Sequence, residues 1–377
     1  MSDIHPFTIS ISDEVINDLK TRLNATRWPD QETVEDWTQG VPLDYQKNLM
    51  AYWASDYDHQ RLANRLNAYD NFVTEVNGLD IHFLHVRSSH EHARPLLLSH
   101  GWPGSIVEFL KVIGPLTEPQ DHGLDQNQAF HLVIPSLPGY GFSGKPTKTG
   151  WSVEKMADTF AMLMARLGYD RYLAQGGDWG SAITSAIGRQ DTEHCLGIHL
   201  NMVLAPPDHG SKDLTEHEMS ALAGLAHYQE WDSGYSKQQA TRPQTLSYGL
   251  ADSPSGQAAW VLEKYWSWTD CDGDPANVLS RDEMLDNIMV YWLNNTSASS
   301  GRLYWHSFGK GAQQTEIKVP MGGTIFPKEI FRTSQRFAER LYKNIVYWNE
   351  RPKGGHFAAF EQPEIYVEEI RACFAKI

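Results

Sequence analysis

The chain has 377 residues, 41% of them hydrophobic and 11% aromatic, which suits one large α/β domain with an insertion, or two ordinary domains, and excludes disorder. Its formal net charge of -15 argues against binding a nucleic-acid backbone and favours solubility. Three widely spaced cysteines, Cys195, Cys271 and Cys373, offer no metal spacing and no disulfide framework, as in a reducing compartment.

The opening "MSDIHPFTISISDEV" has neither a basic segment nor a long apolar run, so no signal peptide is expected. From Ser12 to Leu23 the apolar positions Val15, Ile16, Leu19 and Leu23 recur at helical spacing, with acids in the first turn. An aromatic-rich helical region is expected over Leu43 to Tyr69. "FVTEVNGLDIHFLHV" then reads as two strands around Asn77-Gly78, a hairpin signal.

From there strands and helices alternate. "PLLLSHG" is a buried strand with a helix from Ser105 towards Leu116 behind it. "FHLVIPSLPGYGFS" is a strand and a Gly/Pro loop, and "SVEKMADTFAMLMARLG" a long amphipathic helix. "YLAQGG", "SAITSAIGRQ" and "CLGIHLNM" continue as strand, helix and strand. This rhythm indicates a parallel sheet with helices on both faces. It breaks at Pro206-Pro207, and a helical stretch dense in Trp and Tyr follows to about Tyr304. "IKVPMGGTIF", a helix around Arg332 to Leu341, "NIVYW" and a last helix from Gln362 resume the sheet. The expected sections are 1–92 (meander and hairpin), 93–204 (core, first part), 205–304 (helical lid) and 305–377 (core, second part). No stretch reaches the roughly 18 apolar residues a membrane span needs, and a cytoplasmic protein is expected.

Three features fall at carboxyl ends of these strands, where open α/β sheets place their sites. The first is "GGDWGS". Gly176, Gly177 and Gly180 let the backbone turn sharply and push Asp178 into the open, although an aspartate before a helix is also an ordinary N-cap. The second is "SHGWPGS", His100 to Ser105, able to offer the Trp102 N–H to an anionic oxygen, with the Trp179 N–H as its partner. The third is "KGGHFAAFEQP", which holds His356 on a loop. The order of an elbow residue, an acid and a late histidine matches the roles of an α/β-hydrolase. The acid should follow a late strand, and Glu329 in "GGTIFPKE" does so. Glu350 lies too close to His356 on its own strand, and Glu361 sits on the following helix.

Together "HGWPGS", "GGDWGS", "IFPKE" and "GGHFAAFEQP" resemble the α/β-hydrolase epoxide hydrolases, in the branch of the microsomal and juvenile hormone enzymes and their soluble microbial relatives. "ISDEVINDLKTRLNATRWPD" resembles that branch's N-terminal region, so the likeness covers essentially the whole chain. The resemblance implies Asp178 as nucleophile, His356 as base, Glu329 as its acid, and Tyr235 and Tyr304 of the lid as ring-opening tyrosines. Tyr228, Tyr248, Tyr265 and Tyr291 are expected to serve as packing. It further implies a small apolar epoxide and water as reactants, with no cofactor, metal or nucleic acid and a detoxifying role; self-association is left open. The membrane-bound members' apolar N-terminal anchor is not seen here.

An aspartate at the elbow makes chemical sense for an epoxide. A serine would leave an ether, whereas a carboxylate leaves an ester that water can cleave. A haloalkane dehalogenase uses the same ester, with Trp179 placed to hold a halide. A non-catalytic hydrolase fold used for binding is the alternative from another class.

Overall fold

The computed structural model describes residues 3–205, 210–308 and 315–377; the break expected at Pro206-Pro207 lies outside them. A short strand, β1 (His5–Pro6), precedes the first helix and was not evident from the sequence. Ser12 accepts the Val15 N–H and caps α1 (Asp13–Asn24), whose first-turn acids suit the helix dipole. The helical region expected over 43–69 is two helices, α2 (Leu43–Ser55) and α3 (Arg61–Leu66). They are separated by a turn in which the Asp58 carboxylate accepts the Gln60 N–H. Strands β2 (Asn71–Val76) and β3 (Leu79–Val86) form the expected hairpin. Asn77 and Gly78 both take positive φ, 54° and 76°, as a two-residue hairpin turn requires.

The remaining strands are β4 (Arg94–Ser99), β5 (Phe130–Pro135), β6 (Tyr172–Gly176), β7 (Cys195–Leu200), β8 (Met321–Ile325) and β9 (Ile345–Glu350). The described residues form a nine-stranded sheet in the order β1-β2-β3-β5-β4-β6-β7-β8-β9. Pairing is antiparallel up to the β3–β5 contact and parallel from β5 to β9. Chain order reverses at β4, which lies between β5 and β6, so the loops leaving β4 and β6 open a crevice at their carboxyl ends. Central strands are apolar on both sides: Leu96, Leu97, Leu132, Val133, Leu173 and Ile198 are all fully buried.

Two expected helices are shortened. The one behind β4 is a 3-10 turn, Ile106–Phe109, followed by α4 (Ile113–Thr117). Pro115 has no N–H to give to Lys111, which breaks a continuous helix at that point. The one expected over 332–341 is reduced to a single turn, Gln335–Ala338, because the chain at Leu341 and Lys343 pairs with Ile317 instead. The other flanking helices appear where expected: α5 (Val153–Arg166), α6 (Asp178–Gln190) and a C-terminal helix, Pro363–Phe374.

Residues 210–308 are helical, with α7 (Glu216–His227), α8 (Gly234–Thr241), α9 (Pro243–Asp252), α10 (Pro254–Trp268), α11 (Arg281–Leu293) and α12 (Ser297–Ser307). Capping boxes start α7 (Thr215 with Glu218) and α11 (Ser280 with Glu283). The N-terminal helices fasten this lid. Asp286 of α11 is fully buried and accepts from Tyr57 Oη (2.7 Å), Arg61 Nε (3.1 Å) and Arg65 (2.7 Å). Gln46 of α2 donates to the Ser255 carbonyl at the start of α10 (2.8 Å). Among the described residues, no helix is long and apolar enough to cross a membrane.

Candidate active site

Register brings the first two motifs together. Ser99, the last residue of β4, pairs with Gly176, the last of β6, so the loop from His100 lies beside the turn at Gly177-Asp178. The turn corrects one expectation. Asp178 itself takes the left-handed conformation, φ 51°, while Gly177 is extended at φ -121°. The glycines provide clearance rather than the bend. A Cβ on Gly180 would lie 1.9 Å from the Ser99 carbonyl oxygen, and one on Gly176 would lie 2.1 Å from that of Gly180. Helix α6 can therefore press against the sheet edge and hold Asp178 in its strained position.

The Trp102 N–H donates to Asp178 Oδ1 at 2.8 Å. Trp179 follows in the first turn of α6, where an N–H has no intrahelical partner. His100 is spent structurally: Nδ1 faces the Gly101 carbonyl and Nε2 accepts the Leu137 N–H.

The last two strands deliver the other charged groups. Lys328, after β8, bridges in parallel to Gly355, after β9, which sets Glu329 next to His356. His356 Nδ1 lies 2.6 Å from Glu329 Oε1, and Nε2 lies 3.2 Å from Asp178 Oδ2. Gly355 is required here, since a Cβ would approach the Trp268 carbonyl to 2.4 Å. That carbonyl accepts the His356 N–H (2.8 Å), so the end of α10 pins the histidine loop. Burial disfavours a charge on His356, but Glu329 and Asp178 outweigh it and raise its pKa well above the ordinary value. Glu350 pairs with His217 (2.6 Å). Glu361 accepts the Asp270 N–H (2.9 Å), and burial pushes its carboxyl up to about 7.

Above Asp178 lies a cavity of about 630 Å³, walled by Trp179, Leu225, Phe308 and Ile330 and entered by the rings of Tyr235 and Tyr304. Tyr235 stacks on the Trp102 indole (4.8 Å, 9°), and the Tyr235 and Tyr304 ring centres are 5.8 Å apart. Trp179 meets Tyr304 edge-on at 4.8 Å. Burial, reinforced by neighbouring acidic groups, pushes both phenols well above the ordinary range, so both keep their protons.

Sequence reasoning missed two neighbours. Tyr228, expected to be packing, lines the cavity, and its hydroxyl lies 3.1 Å from that of Tyr235. The pairing depends on the link between α7 and α8, so no regular helical spacing signalled it. Lys264 of α10, tied to Asp232 (3.0 Å), places Nζ 4.6 Å from the Tyr235 ring centre. Of the other tyrosines, Tyr265 and Tyr291 are buried, whereas Tyr248 is 71% exposed and so is not a core packing residue. Among the described residues, no group of three His, Cys, Asp or Glu side chains is arranged to hold a metal.

A largely parallel sheet with an aspartate at the elbow, where serine is the usual tip, and an acid and histidine from its last two strands defines an α/β-hydrolase. The family description "alpha/beta hydrolase fold" matches residues 94–249, and "Epoxide hydrolase N terminus" matches residues 4–109. A putative epoxide hydrolase of Stigmatella aurantiaca is 51% identical over 99% of this chain and 85% of its own length. Epoxide hydrolase 1 of Oryctolagus cuniculus is 36% identical over 97% of this chain and 88% of its own. The crystal structure of juvenile hormone epoxide hydrolase from Bombyx mori superposes with a TM-score of 0.93 at 31% identity, covering 100% of this chain and 95% of that one. The Aspergillus niger epoxide hydrolase structure gives 0.90, also at 31%, over 100% and 97%. The chain belongs to the epoxide hydrolases, with Asp178, His356 and Glu329 as the catalytic triad.

Proposed function

We propose that this enzyme opens a small apolar epoxide through an ester on Asp178, with Tyr235 and Tyr304 protonating the departing oxygen. The observation that carries the reading is the division of labour at Asp178. Oδ1 is held by the Trp102 N–H, while Oδ2 faces His356 below the cavity that both tyrosines enter. Oδ2 attacks a ring carbon, the ring C–O bond breaks, and the alkoxide takes a phenol proton. The phenolate regains a proton from solvent, while His356, no longer facing a charged Asp178, releases its own to solvent and becomes neutral.

Esterification changes the base as well as the nucleophile. It removes the Asp178 charge that helps hold the proton on His356, so the imidazole becomes a competent base only once an ester needs hydrolysing. Water then gives a proton to Nε2 and bonds to the Asp178 carbonyl carbon. The negative charge gathers on Oδ1, facing the N–H groups of Trp102 and Trp179. Collapse breaks the ester bond and releases the diol, which takes its proton from His356. The new carboxyl group of Asp178 returns a proton to His356, completing the cycle. Glu329 keeps the ring oriented and supports its charge.

The apolar cavity walls support a hydrophobic epoxide, and a cytoplasmic detoxifying enzyme of sections 1–92, 93–204, 205–304 and 305–377 accords with this reading. The test is turnover of an aryl epoxide beside a bromoalkane, which needs no proton to lose its halide. Diol formation with Tyr235 and Tyr304 intact, lost in the double Phe variant, is expected. Halide release that survives in that variant, with no diol from the wild type, would reject the proposal.

A further inference from the structure

Asp178 lines two spaces of very different size. Besides the large apolar cavity there is a chamber of about 20 Å³, in which Ser99, Glu108, Asn201, His356 and Asp178 meet among apolar walls that include Phe109 and Phe357. A water needs about 10–15 Å³ of such space and two to four polar partners. The chamber supplies both. Ser99 is fully buried, and its hydroxyl has no hydrogen-bond partner within the described protein, so it awaits one in this space. Glu108 is half-buried and lines this chamber.

Resting on the ester reading above, we propose that the chamber seats the hydrolytic water, with the Glu108 carboxyl accepting one of its O–H groups while His356 Nε2 receives the other. The first proton stays on the water oxygen and is merely held. The second passes to Nε2 as the oxygen bonds to the Asp178 carbonyl carbon. Delivery from this chamber leaves the large apolar cavity to the alkyl group, so water need not compete with substrate for space. Burial, with Asp178 adding to it and His356 opposing it, pushes the Glu108 carboxyl up to about 8. At neutral pH it is therefore an uncharged acceptor, adding no negative charge beside Asp178 and Glu329.

Gly104 provides independent support. A Cβ there would lie 1.3 Å from Glu108 Oε1, so the carboxyl occupies space that only glycine leaves open. Gly104 has no positive φ, so alanine is compatible with its backbone and would displace chiefly the flexible end of Glu108.

The experiment is a single turnover of an aryl epoxide, quenched at intervals, with the mass of the Asp178 peptide followed in wild type, E108L, E108Q and G104A. Ester should form in all four at rates within a few-fold of each other. Its decay should slow roughly 10- to 100-fold in E108L and G104A, which lose the acceptor, and less in E108Q, whose amide carbonyl still accepts. Ester decay at the wild-type rate in E108L overturns the assignment of Glu108. Equal loss of ester formation and decay in E108L and E108Q also overturns it, because that marks a structural role. A wild-type peptide that never gains mass while diol is produced overturns the ester reading itself, a different result from normal decay in E108L.

Discussion

Glu329→Gln removes one negative charge and keeps the shape of the side chain. The carboxylate oxygen lies 2.6 Å from His356 Nδ1, and both side chains are almost fully buried. Two unit charges with centres about 4 Å apart interact by about 4 kcal/mol at an effective dielectric constant of about 20. Glutamine retains an acceptor for the Nδ1 proton, so part of that support survives. Hydrolysis of the ester should therefore slow about 10²–10³-fold, at about 1.4 kcal/mol per decade. Formation of the ester should change only a few-fold, since it depends on Asp178 and the tyrosines. Rapid-quench measurement of the two steps separates them. The acid assignment fails if Glu329→Gln hydrolyses its ester at the wild-type rate while Glu350→Gln, which removes the charge paired with His217, abolishes turnover.

Tyr235→Phe and Tyr304→Phe should each slow ester formation, and the double variant should lose about 10²–10⁴-fold in single-turnover alkylation; a wild-type rate there would make both rings mere packing. His356 in the free enzyme should titrate at higher pH than the acid limb of kcat, because Asp178 raises its pKa only before esterification. Comparing a histidine NMR titration with the kcat profile checks this, and the reverse order contradicts it. Asp286→Ala should cost about 3 kcal/mol by urea unfolding, since it strips a buried carboxylate from Arg61 and Arg65; a loss below about 0.5 kcal/mol would show that the lid is fastened elsewhere.

Local chemistry made much of this molecule legible in its sequence. Asn77-Gly78 announced the hairpin because few other pairs accept two positive φ values, and the strand–helix alternation announced the parallel sheet. Asp178 stood out because glycines crowd around it, although their purpose was misread: they make room, and Asp178 carries the strain. What stayed hidden depends on distant partners. Asp286 looks like any helix aspartate until Tyr57, Arg61 and Arg65 arrive from more than 200 residues away. Tyr228 could not be separated from packing tyrosines, because its place beside Tyr235 rests on the turn that links α7 to α8. Glu108, three residues beyond Ser105 at the end of a conspicuous loop motif read only for its backbone, drew no attention because its chamber also needs Asn201, just after β7, and the His356 loop.

The central claim is a covalent ester on Asp178, and His356→Gln tests it most directly, because it leaves the nucleophile and tyrosines in place while removing the base. Incubation with an aryl epoxide, followed by digestion and mass spectrometry, should show the Asp178 peptide heavier by the mass of the epoxide and persisting for many wild-type turnover times. A wild-type single turnover in ¹⁸O-water should then place the label in Asp178 and leave the first diol unlabelled. An unmodified Asp178 peptide in the variant, with ¹⁸O in the first diol of the wild type, would mean that water attacks the epoxide directly and would contradict the account.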